Sequence, residues 1–435
     1  MQGTVRNPAS GEPGRLPPNH PLRAELYHEP HARPFPIVRA PVHAVHLVLL
    51  SEPGAGHHAQ LGRLATAFGL ESPPPNAASW YADVPGFTLR WERHTEFCTY
   101  TFLRPADDRP PFACAPLDVL PAGWLESLPG ELLVATQVAV LAGPPPDPFS
   151  NTLQALFDGQ MLIGSRIVDD RAVAWTTLKL HADGFSRYLV YNTGLNDFQT
   201  GRTLQRLLEI ETYRTMALLG YPEAKRIWPR VRRLDTDLAG IIDRLAHADG
   251  PAAEQQLLKE LSVISQGIEH MRSDTNYRFS ATRAYMALMH RRLEDLREQK
   301  YPGRSSMHKF LERRMTPALD TCDSVDAHLQ DLSLRVARAT EALRARIETT
   351  IEEQNRSMLD SLNRRSLQQL RLQQTVEGLS VAAISYYVVG LLNYGLKGLA
   401  HAGAPLPVDS VTALLVVPVA LSVWWLVRWH RRRIL

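Results

Sequence analysis

Residues 379–396 read LSVAAISYYVVGLLNYGL, a run without a charged side chain that is long enough for a membrane-spanning helix. A second apolar run, VTALLVVPVALSVWWLV, occupies residues 411–427. Trp424, Trp425 and Trp429 near its end are typical of a membrane–water interface. The sequence predicts a hairpin of transmembrane helix 1 at 376–398, an extracytoplasmic loop at 399–410 and transmembrane helix 2 at 411–429, with a basic cytoplasmic tail at 430–435.

Basic residues around the two runs indicate their orientation. Several arginines lie before the first run and after the second, whereas the segment between the runs carries only Lys397 and Asp409. Because basic residues stay on the cytoplasmic side, both chain termini are expected there. No apolar signal-peptide core precedes the large domain. The expected location is the bacterial plasma (inner) membrane. The alternative interpretation of the two apolar runs is a pair of buried core helices.

The first run contains polar side chains that need protein or water partners in lipid. An oligomer with this helix around its centre satisfies more of them than one hairpin does. We therefore expect a homo-oligomer in which these side chains are candidates to line a pore: Ser380, Ser385, Tyr387, Asn393 and Tyr394.

A helical region of bundle and stalk is predicted at 197–375. Helices are expected at 198–217, 223–246, 252–271 and 277–299, and Thr316-Pro317 is typical of the start of a long helix. Neither Pro nor Gly occurs from 318 to 376, although Gly378 could end this helix before the first run. Its apolar residues begin with heptad spacing: Val325, Leu329, Leu332, Val336, Ala339, Leu343, Ile347, Ile351, Met358 and Leu362.

The N-terminal part alternates strand and helix patterns. Residues 41–196 are predicted to form an α/β or α+β domain with a mixed sheet, after a Pro- and His-rich extended arm at 1–40. Strands are expected at 42–50, 87–93, 97–103, 132–141, 161–168, 172–180 and 185–191, and helices at 57–68, 121–128 and 151–157.

Little in the sequence points to catalysis. Three cysteines form no disulfide or metal-binding pattern, and a net charge of +3 gives no reason to expect nucleic acid. Phosphate-binding, dinucleotide-binding, hydrolase and metalloprotease motifs do not occur, so we expect no enzyme and identify no cofactor. His28, Glu29 and His31 are candidate metal ligands, but prolines around them favour an arm that clamps the domain.

Four segments carry a resemblance that covers nearly the whole chain. They are HPLR at 20–23, EPHARPF at 29–35, RYLVY at 187–191 and QRLLEIETYR at 205–214. They resemble those of a bacterial family of uncharacterised, predicted membrane-anchored proteins. That family has no established activity, so this resemblance implies membrane anchoring alone.

The C-terminal third also resembles the CorA family of divalent-cation channels. Tyr394, Gly395, Leu396 and Lys397 stand where that family has Tyr-Gly-Met-Asn, and both have a basic C-terminus. The resemblance implies a CorA-like architecture, a pentamer and a divalent cation as a possible ion, and it adds Gly395 and Lys397 to the pore candidates. Since Lys397 places positive charge at the pore mouth, we expect an ion channel or transporter of unknown or altered selectivity. The alternative is a membrane-anchored cytosolic sensor or scaffold without transport.

Overall fold

The computed structural model describes residues 19–28, 36–52, 56–75, 77–107, 109–112, 116–248, 250–401 and 407–434, without the side chains of residues 24, 25, 28, 400, 401 and 430–434. Its helices are α1 (Arg23–His28), α2 (His57–Ala67), α3 (Asn151–Ala155), α4 (Asp197–Leu218), α5 (Gly220–Ala246), α6 (Pro251–Asp295), α7 (Met307–His401) and α8 (Val408–Ile434). Its strands are β1 (Val42–Leu50), β2 (Ser79–Val84), β3 (Phe87–Arg93), β4 (Phe97–Pro105), β5 (Glu131–Ala142), β6 (Ile163–Ile167), β7 (Ala172–Thr176), β8 (Ser186–Asn192) and β9 (Gln299–Lys300).

The strands of the described residues form one sheet in the order β2-β3-β4-β1-β5-β8-β7-β6-β9. β5 and β8 pair in parallel, and the other neighbouring strands pair antiparallel. The prediction of a mixed sheet is therefore confirmed, and β1 has the predicted bounds. The edge strands β2 and β9 are not among the predicted strands.

Alternating side chains of the sheet pack into separate apolar cores on its two faces. On one face Trp91, Tyr100 and Phe102 lie with Leu61 and Leu64 of α2. On the other face strands β1, β5, β7 and β8 contribute to a core that also contains residues of α4, α6 and the beginning of α7. Helix α4, which belongs to this core, begins with a full capping box in which Asn196 and Gln199 satisfy free backbone N–H groups.

Contacts divide the chain into two compact units, which are Met1–Gly240 with Ser262–Val336, and Ile241–Leu261 with Ala337–Leu435. The first, called the sheet unit below, contains all nine strands. The second, called the helical unit, is held in part by Arg346, whose guanidinium contacts the carbonyl oxygens of Leu245 and Ala248 and lies 2.9 Å from Glu254 Oε1. The predicted domain boundaries at 40, 196 and 375 stay predictions.

Helix α7 follows the predicted heptad pattern only over its first half. Leu329, Leu332, Val336 and Leu343 are buried. From residue 351 to residue 376 every side chain is exposed, including the apolar ones, and we call this stretch the bare segment. The helix continues past Gly378 without a break, so the alternative that Gly378 ends it is wrong.

Helix α7 begins before Thr316-Pro317, so the prediction that the helix starts at these residues is wrong. It begins at Met307, where the Glu298 carboxylate accepts the backbone N–H of Met307 at 2.5 Å and that of His308 at 2.8 Å. A carboxylate at a helix N-terminus satisfies free N–H groups and interacts favourably with the helix dipole. Pro317 consequently lies inside the helix rather than at its beginning.

The helices predicted at 252–271 and 277–299 are one continuous helix, α6, which ends at Asp295. The residues between the two predictions form helices poorly on their own, but tertiary burial overrides such weak preferences. Met271, Thr275 and Phe279 are buried at four-residue spacing. The Thr275 hydroxyl also donates to the carbonyl oxygen of Met271 at 2.7 Å.

Two further predictions differ from the structure. Residues 121–128 form turns instead of a helix, because Gly123 adopts a left-handed conformation with φ of 74°. Trp124 in these turns donates from Nε1 to the carbonyl oxygen of Gln60 at 3.0 Å. Within the segment predicted as an extended arm, Arg23–His28 form the short helix α1.

Candidate membrane-spanning hairpin

Two helices in the described part of the chain are long and apolar enough to cross a membrane. They are Met307–Leu399, in which the most apolar window has a mean hydropathy of 1.5, and Val408–Trp429, with 2.1. Only 6% of the first window and none of the second is buried. A core helix of a soluble protein is mostly buried, so this exposure argues against the alternative interpretation of two core helices.

A hydrogen bond joins the two helices close to the segment that connects them. Thr412 Oγ1 of α8 lies 3.2 Å from Asn393 Oδ1 of α7 and 2.8 Å from the carbonyl oxygen of Val408. The hydroxyl has a single hydrogen, which these two acceptors share. Asn393, a predicted pore residue, therefore has a polar partner within its own chain.

The least exposed residues of the two helices lie at helical spacing. Ser385 is the most buried residue of the first apolar run, and its hydroxyl oxygen has no hydrogen-bond partner in the described part of the chain. Because Asn393 bonds to Thr412, we infer that the two less exposed faces pack together, with small and β-branched side chains as in membrane helix pairs. These faces carry Val381, Ser385, Val389 and Asn393 on α7 and Leu415, Val419, Val423 and Val427 on α8.

Three other pore candidates lie on the opposite face of α7. Ser380, Tyr387 and Tyr394 are seven residues apart and exposed. At 3.6 residues per turn, Tyr387 and Tyr394 lie about 200° and about 180° around the helix from Ser385. Ser380 donates to the carbonyl oxygen of Val376 at 2.8 Å, so its hydroxyl returns to its own helix. The structure therefore separates the candidates into a face packed on α8 and a polar line turned away from it.

The remaining candidates lie near the end of α7. Gly395 and Lys397 are exposed, and a Cβ at Gly395 would meet no atom within 4 Å. Asp409 occupies the first turn of α8. Lys397, four residues before the end of α7, and Asp409 are thus the Lys, Arg, Asp or Glu residues nearest in sequence to the segment between the helices.

Aromatic and basic side chains meet near the end of α8. The rings of Trp425 and Trp429 are stacked with centroids 6.1 Å apart, and the Arg428 guanidinium lies 5.0 Å from the centroid of the Trp424 ring. Tryptophan and arginine with this arrangement are typical of membrane interfaces.

The predicted metal ligands cannot be compared with the structure. Glu29, His31 and the side chain of His28 lie outside the described residues. Within the residues that are described, no group of three or more His, Cys, Asp or Glu side chains could hold a metal ion.

A family model described as "Protein of unknown function (DUF3422)" matches residues 18–434. The chain belongs to this family. No curated protein and no solved structure matches the chain. The predicted membership in an uncharacterised family is confirmed, whereas none of the comparisons returns the CorA family, so that resemblance stays a prediction.

Sequence reasoning identified Asn393 but missed Thr412 as its partner. A partial signal was available, because a polar residue occurs in each apolar run near the connecting segment. Asn393 lies eight residues before His401, the end of α7, and Thr412 four residues after Val408, the beginning of α8. These unequal distances do not specify the pair, which depends on the offset between the two helices.

Proposed function

We propose that this member of the family is a homo-oligomer anchored in the bacterial plasma membrane by the hairpin. In this proposal the first span surrounds a central ion path, so that the protein is a CorA-like channel or transporter of altered selectivity. The observation that supports it most directly is the polar line of Ser380, Tyr387 and Tyr394 on the face turned away from α8.

A polar line on an otherwise apolar helix needs partners in a bilayer. The second span occupies the face of Ser385 and Asn393, so it cannot serve Tyr387 and Tyr394 as well. Seven-residue spacing places side chains above one another on one helix face, which is the spacing that parallel copies share around an axis. Copies of the same helix would therefore supply the missing partners and enclose a path lined by hydroxyl groups.

The bare segment supports the same proposal from outside the apolar runs. A single helix that is exposed on every side is marginally stable in water, since most helix stability comes from packing. The bare segment carries exposed apolar residues, among them Ile351, Met358, Leu362 and Leu370. Parallel packing of this segment between copies would bury them and provide the oligomer contacts that the pore requires.

The charges flanking the apolar runs support a cytoplasmic location of both chain termini. They also bear on selectivity. Lys397 adds one positive charge per copy near the end of the first span, and Asp409 is the acid closest in sequence at the start of the second. Two unit charges at 4 Å interact by about 1 kcal/mol even in bulk water, so a ring of Lys397 side chains disfavours cations at that position.

Cysteine cross-linking in membranes tests the oligomer. Two adjacent tyrosines with nearly equal exposure, 71% for Tyr387 and 77% for Tyr386, lie on different faces of α7. In a background with Cys98, Cys114 and Cys322 replaced by alanine, Tyr387→Cys should give abundant disulfide-linked dimers on oxidation, because the single cysteine of one copy can pair with that of one neighbour. Tyr386→Cys should give markedly fewer. Equal cross-linking at both positions, or a monomer in detergent, contradicts the central position of this face.

Ion flux into liposomes tests transport itself. Lys397→Asn removes the positive charge and should raise Mg²⁺ or Co²⁺ flux severalfold, whereas Lys397→Arg keeps the charge and should leave the flux low. If none of these proteins conducts cations or chloride, the hairpin anchors the protein in the membrane but does not conduct ions.

That outcome is the second candidate function, a membrane-anchored sensor or scaffold without transport. One observation favours it: the Asn393–Thr412 hydrogen bond satisfies the most polar residue of the first span within a single chain. A hairpin that is complete by itself needs no pore. The expectation that the protein is not an enzyme stays a prediction under either function.

A further inference from the structure

A cavity of about 310 Å³ lies in the sheet unit, between strands β1, β3 and β4 and helix α4. Polar side chains from the sheet line one wall, which are His46, Arg90, Glu92, Thr99 and Thr101. The opposite wall comes mainly from α4, with Gln205, Glu209, Thr212 and Tyr213, and from Arg292 of α6. A sheet face covered by a helix is normally apolar, so this concentration of polar groups between sheet and helix points to a binding site.

Strand register places the sheet residues side by side. Arg90 is opposite Thr101, and Thr101 is opposite His46, so the three form one row across β3, β4 and β1. Glu92 is opposite Thr99 in the next row. Side chains of alternate residues on a strand share a face, so both rows point to the same side of the sheet.

His46 forms a closed set of hydrogen bonds at the inner end of the cavity. Its Nε2 lies 3.0 Å from Thr212 Oγ1, and its Nδ1 lies 2.8 Å from Thr101 Oγ1. Because the Thr212 hydroxyl donates to the Leu208 carbonyl oxygen, we assign the His46 hydrogen to Nε2 and let Thr101 donate to Nδ1. Burial, with Arg90 and His94 nearby, lowers the pKa of His46 to about 3, so the ring is neutral.

Thr99 is the polar group of this wall that the protein leaves unsatisfied. It is 4% exposed and lines the cavity, yet its hydroxyl oxygen has no hydrogen-bond partner in the described part of the chain. A buried hydroxyl without a partner is unfavourable, because it has lost its hydrogen bonds to water and gained none in the protein. A bound molecule that bonds to Thr99 would recover this free energy.

Four charged side chains line the cavity, and their charges sum to zero. Arg90 Nη2 lies 2.8 Å from Glu92 Oε1, and the side chain of Arg90 is 9% exposed. Arg292 pairs with Glu209, and the side chain of Arg292 is 28% exposed. Arg90 also donates to Gln205 at 2.9 Å, and Gln205 donates to Glu209 at 2.7 Å, so that one network joins the inner pair to the outer pair.

This charge pattern restricts the ligand. A ligand with net charge would bring an uncompensated charge into a buried site, which is costly. A neutral ligand would form hydrogen bonds in which only the protein partner is charged. A zwitterion instead brings a carboxylate to the arginines and an ammonium to the glutamates, so that Coulomb attraction adds to each hydrogen bond. Apolar side chains that also line the cavity are available for its carbon atoms: Phe97, Leu103, Leu204 and Leu208.

We propose that the cavity between β1, β3, β4 and α4 is a binding site for a small zwitterionic metabolite of the α-amino-acid class. Its carboxylate interacts with the arginines, its ammonium with the glutamates, and one of its polar atoms with the Thr99 hydroxyl. The more exposed Arg292–Glu209 pair marks the side from which the ligand enters. The proposal concerns the sheet unit and does not depend on transport by the hairpin.

Thermal unfolding of the full-length protein in detergent tests the site, with the twenty proteinogenic L-α-amino acids as probes and glucose as the uncharged comparison. At least one amino acid should raise the melting temperature and give saturable heat in calorimetry. Its analogues with the ammonium replaced by hydroxyl, or with the carboxylate removed, should bind at least tenfold more weakly. If no amino acid binds, or if glucose or the singly charged analogues bind as tightly, the proposal is wrong.

Two matched variants connect the binding to the cavity. Thr99→Val removes the unsatisfied hydroxyl at nearly constant volume and should weaken binding about tenfold. Thr282→Val is the control, because Thr282 is equally buried and its hydroxyl is also unsatisfied, but it does not line the cavity. Equal ligand affinity in the two variants would overturn the assignment of the site. The analogue series remains decisive if Thr99→Val does not fold.

Discussion

The sheet unit and the hairpin end of the helical unit differ in whether their large apolar side chains are buried or exposed. In the sheet unit large aromatic residues such as Trp91, Trp175 and Tyr100 are completely buried. Between residue 351 and the end of α8, Ser385 is the one described residue that is buried, and leucines, tyrosines and tryptophans are exposed. The sheet unit therefore buries its large apolar side chains within a single chain. The hairpin end of the helical unit exposes them, which gives it a surface suited to lipid or to further copies.

The largest expected effect separates two tryptophans. Trp175→Ala removes a fully buried ring that packs against Tyr301, and should destabilise the sheet unit by about 3–5 kcal/mol. Trp425→Ala removes an exposed ring and should change the same unfolding transition by less than about 0.5 kcal/mol. The change in stability of both variants is measured by thermal unfolding that is monitored through hydrogen exchange of the β-sheet amides. A comparable loss of stability in the two variants would contradict this difference between the two regions.

Two glycines provide the next effect. An alanine at Gly164 would place its Cβ in steric overlap with the Trp175 ring, and should destabilise the sheet unit by about 1–3 kcal/mol. An alanine at Gly378 meets no atom within 4 Å and should stabilise α7 by roughly 0.5–1 kcal/mol. Circular dichroism during denaturation should therefore show shifts of opposite sign. Loss of stability in Gly378→Ala would indicate a close contact of α7 that the single chain does not contain.

The smallest effect concerns the bond between the two apolar helices. Asn393→Leu and Thr412→Val should each weaken the hairpin, and the double variant should reveal a coupling of about 0.6 kcal/mol, the average for such bonds in membrane proteins. A double-mutant cycle of unfolding in mixed micelles measures it. Purely additive effects would mean that the two side chains do not interact in the micelle.

The sequence was sufficient where pattern alone decides structure. Strand β1 could be predicted to the residue because β-branched and other apolar residues predominate in it. The two apolar helices could be predicted from the length and hydropathy of their runs. The start of α7 was missed although Ser306, directly before the helix, is a typical N-cap residue whose Oγ accepts the Lys309 N–H at 3.4 Å. The second part of the cap, the Glu298 carboxylate, comes from eight residues upstream and is not visible in the sequence pattern. The edge strand β2 was missed since SWYADV has no clear alternation, and its pairing with β3 decides its structure.

The candidate sites show the same division. The polar residues of the first span could be listed from the sequence, but their separation into two faces requires the position of α8. The cavity could not be predicted at all. Arg90, Thr99 and Glu209 come from distant parts of the sequence, and only the register of β3 with β4 and the position of α4 bring them together. The hydrogen-bond partners of His46, Thr101 on β4 and Thr212 on α4, are likewise distant in the sequence.

The single parallel pair in the sheet has a consequence for folding. Strands β1 to β5 form one antiparallel group and β6 to β8 another, and the groups join through β5 and β8 from Thr136–Ser186 to Ala142–Asn192. The segment between them contains the proline run at 144–146. Since non-local pairing forms slowly, each group can gain protection in pulse-labelling experiments before this junction closes. Late protection of those amides in 136–142 and 186–192 that bond between β5 and β8, after the amides bonded to β1 and β7, would identify the rate-limiting step of folding.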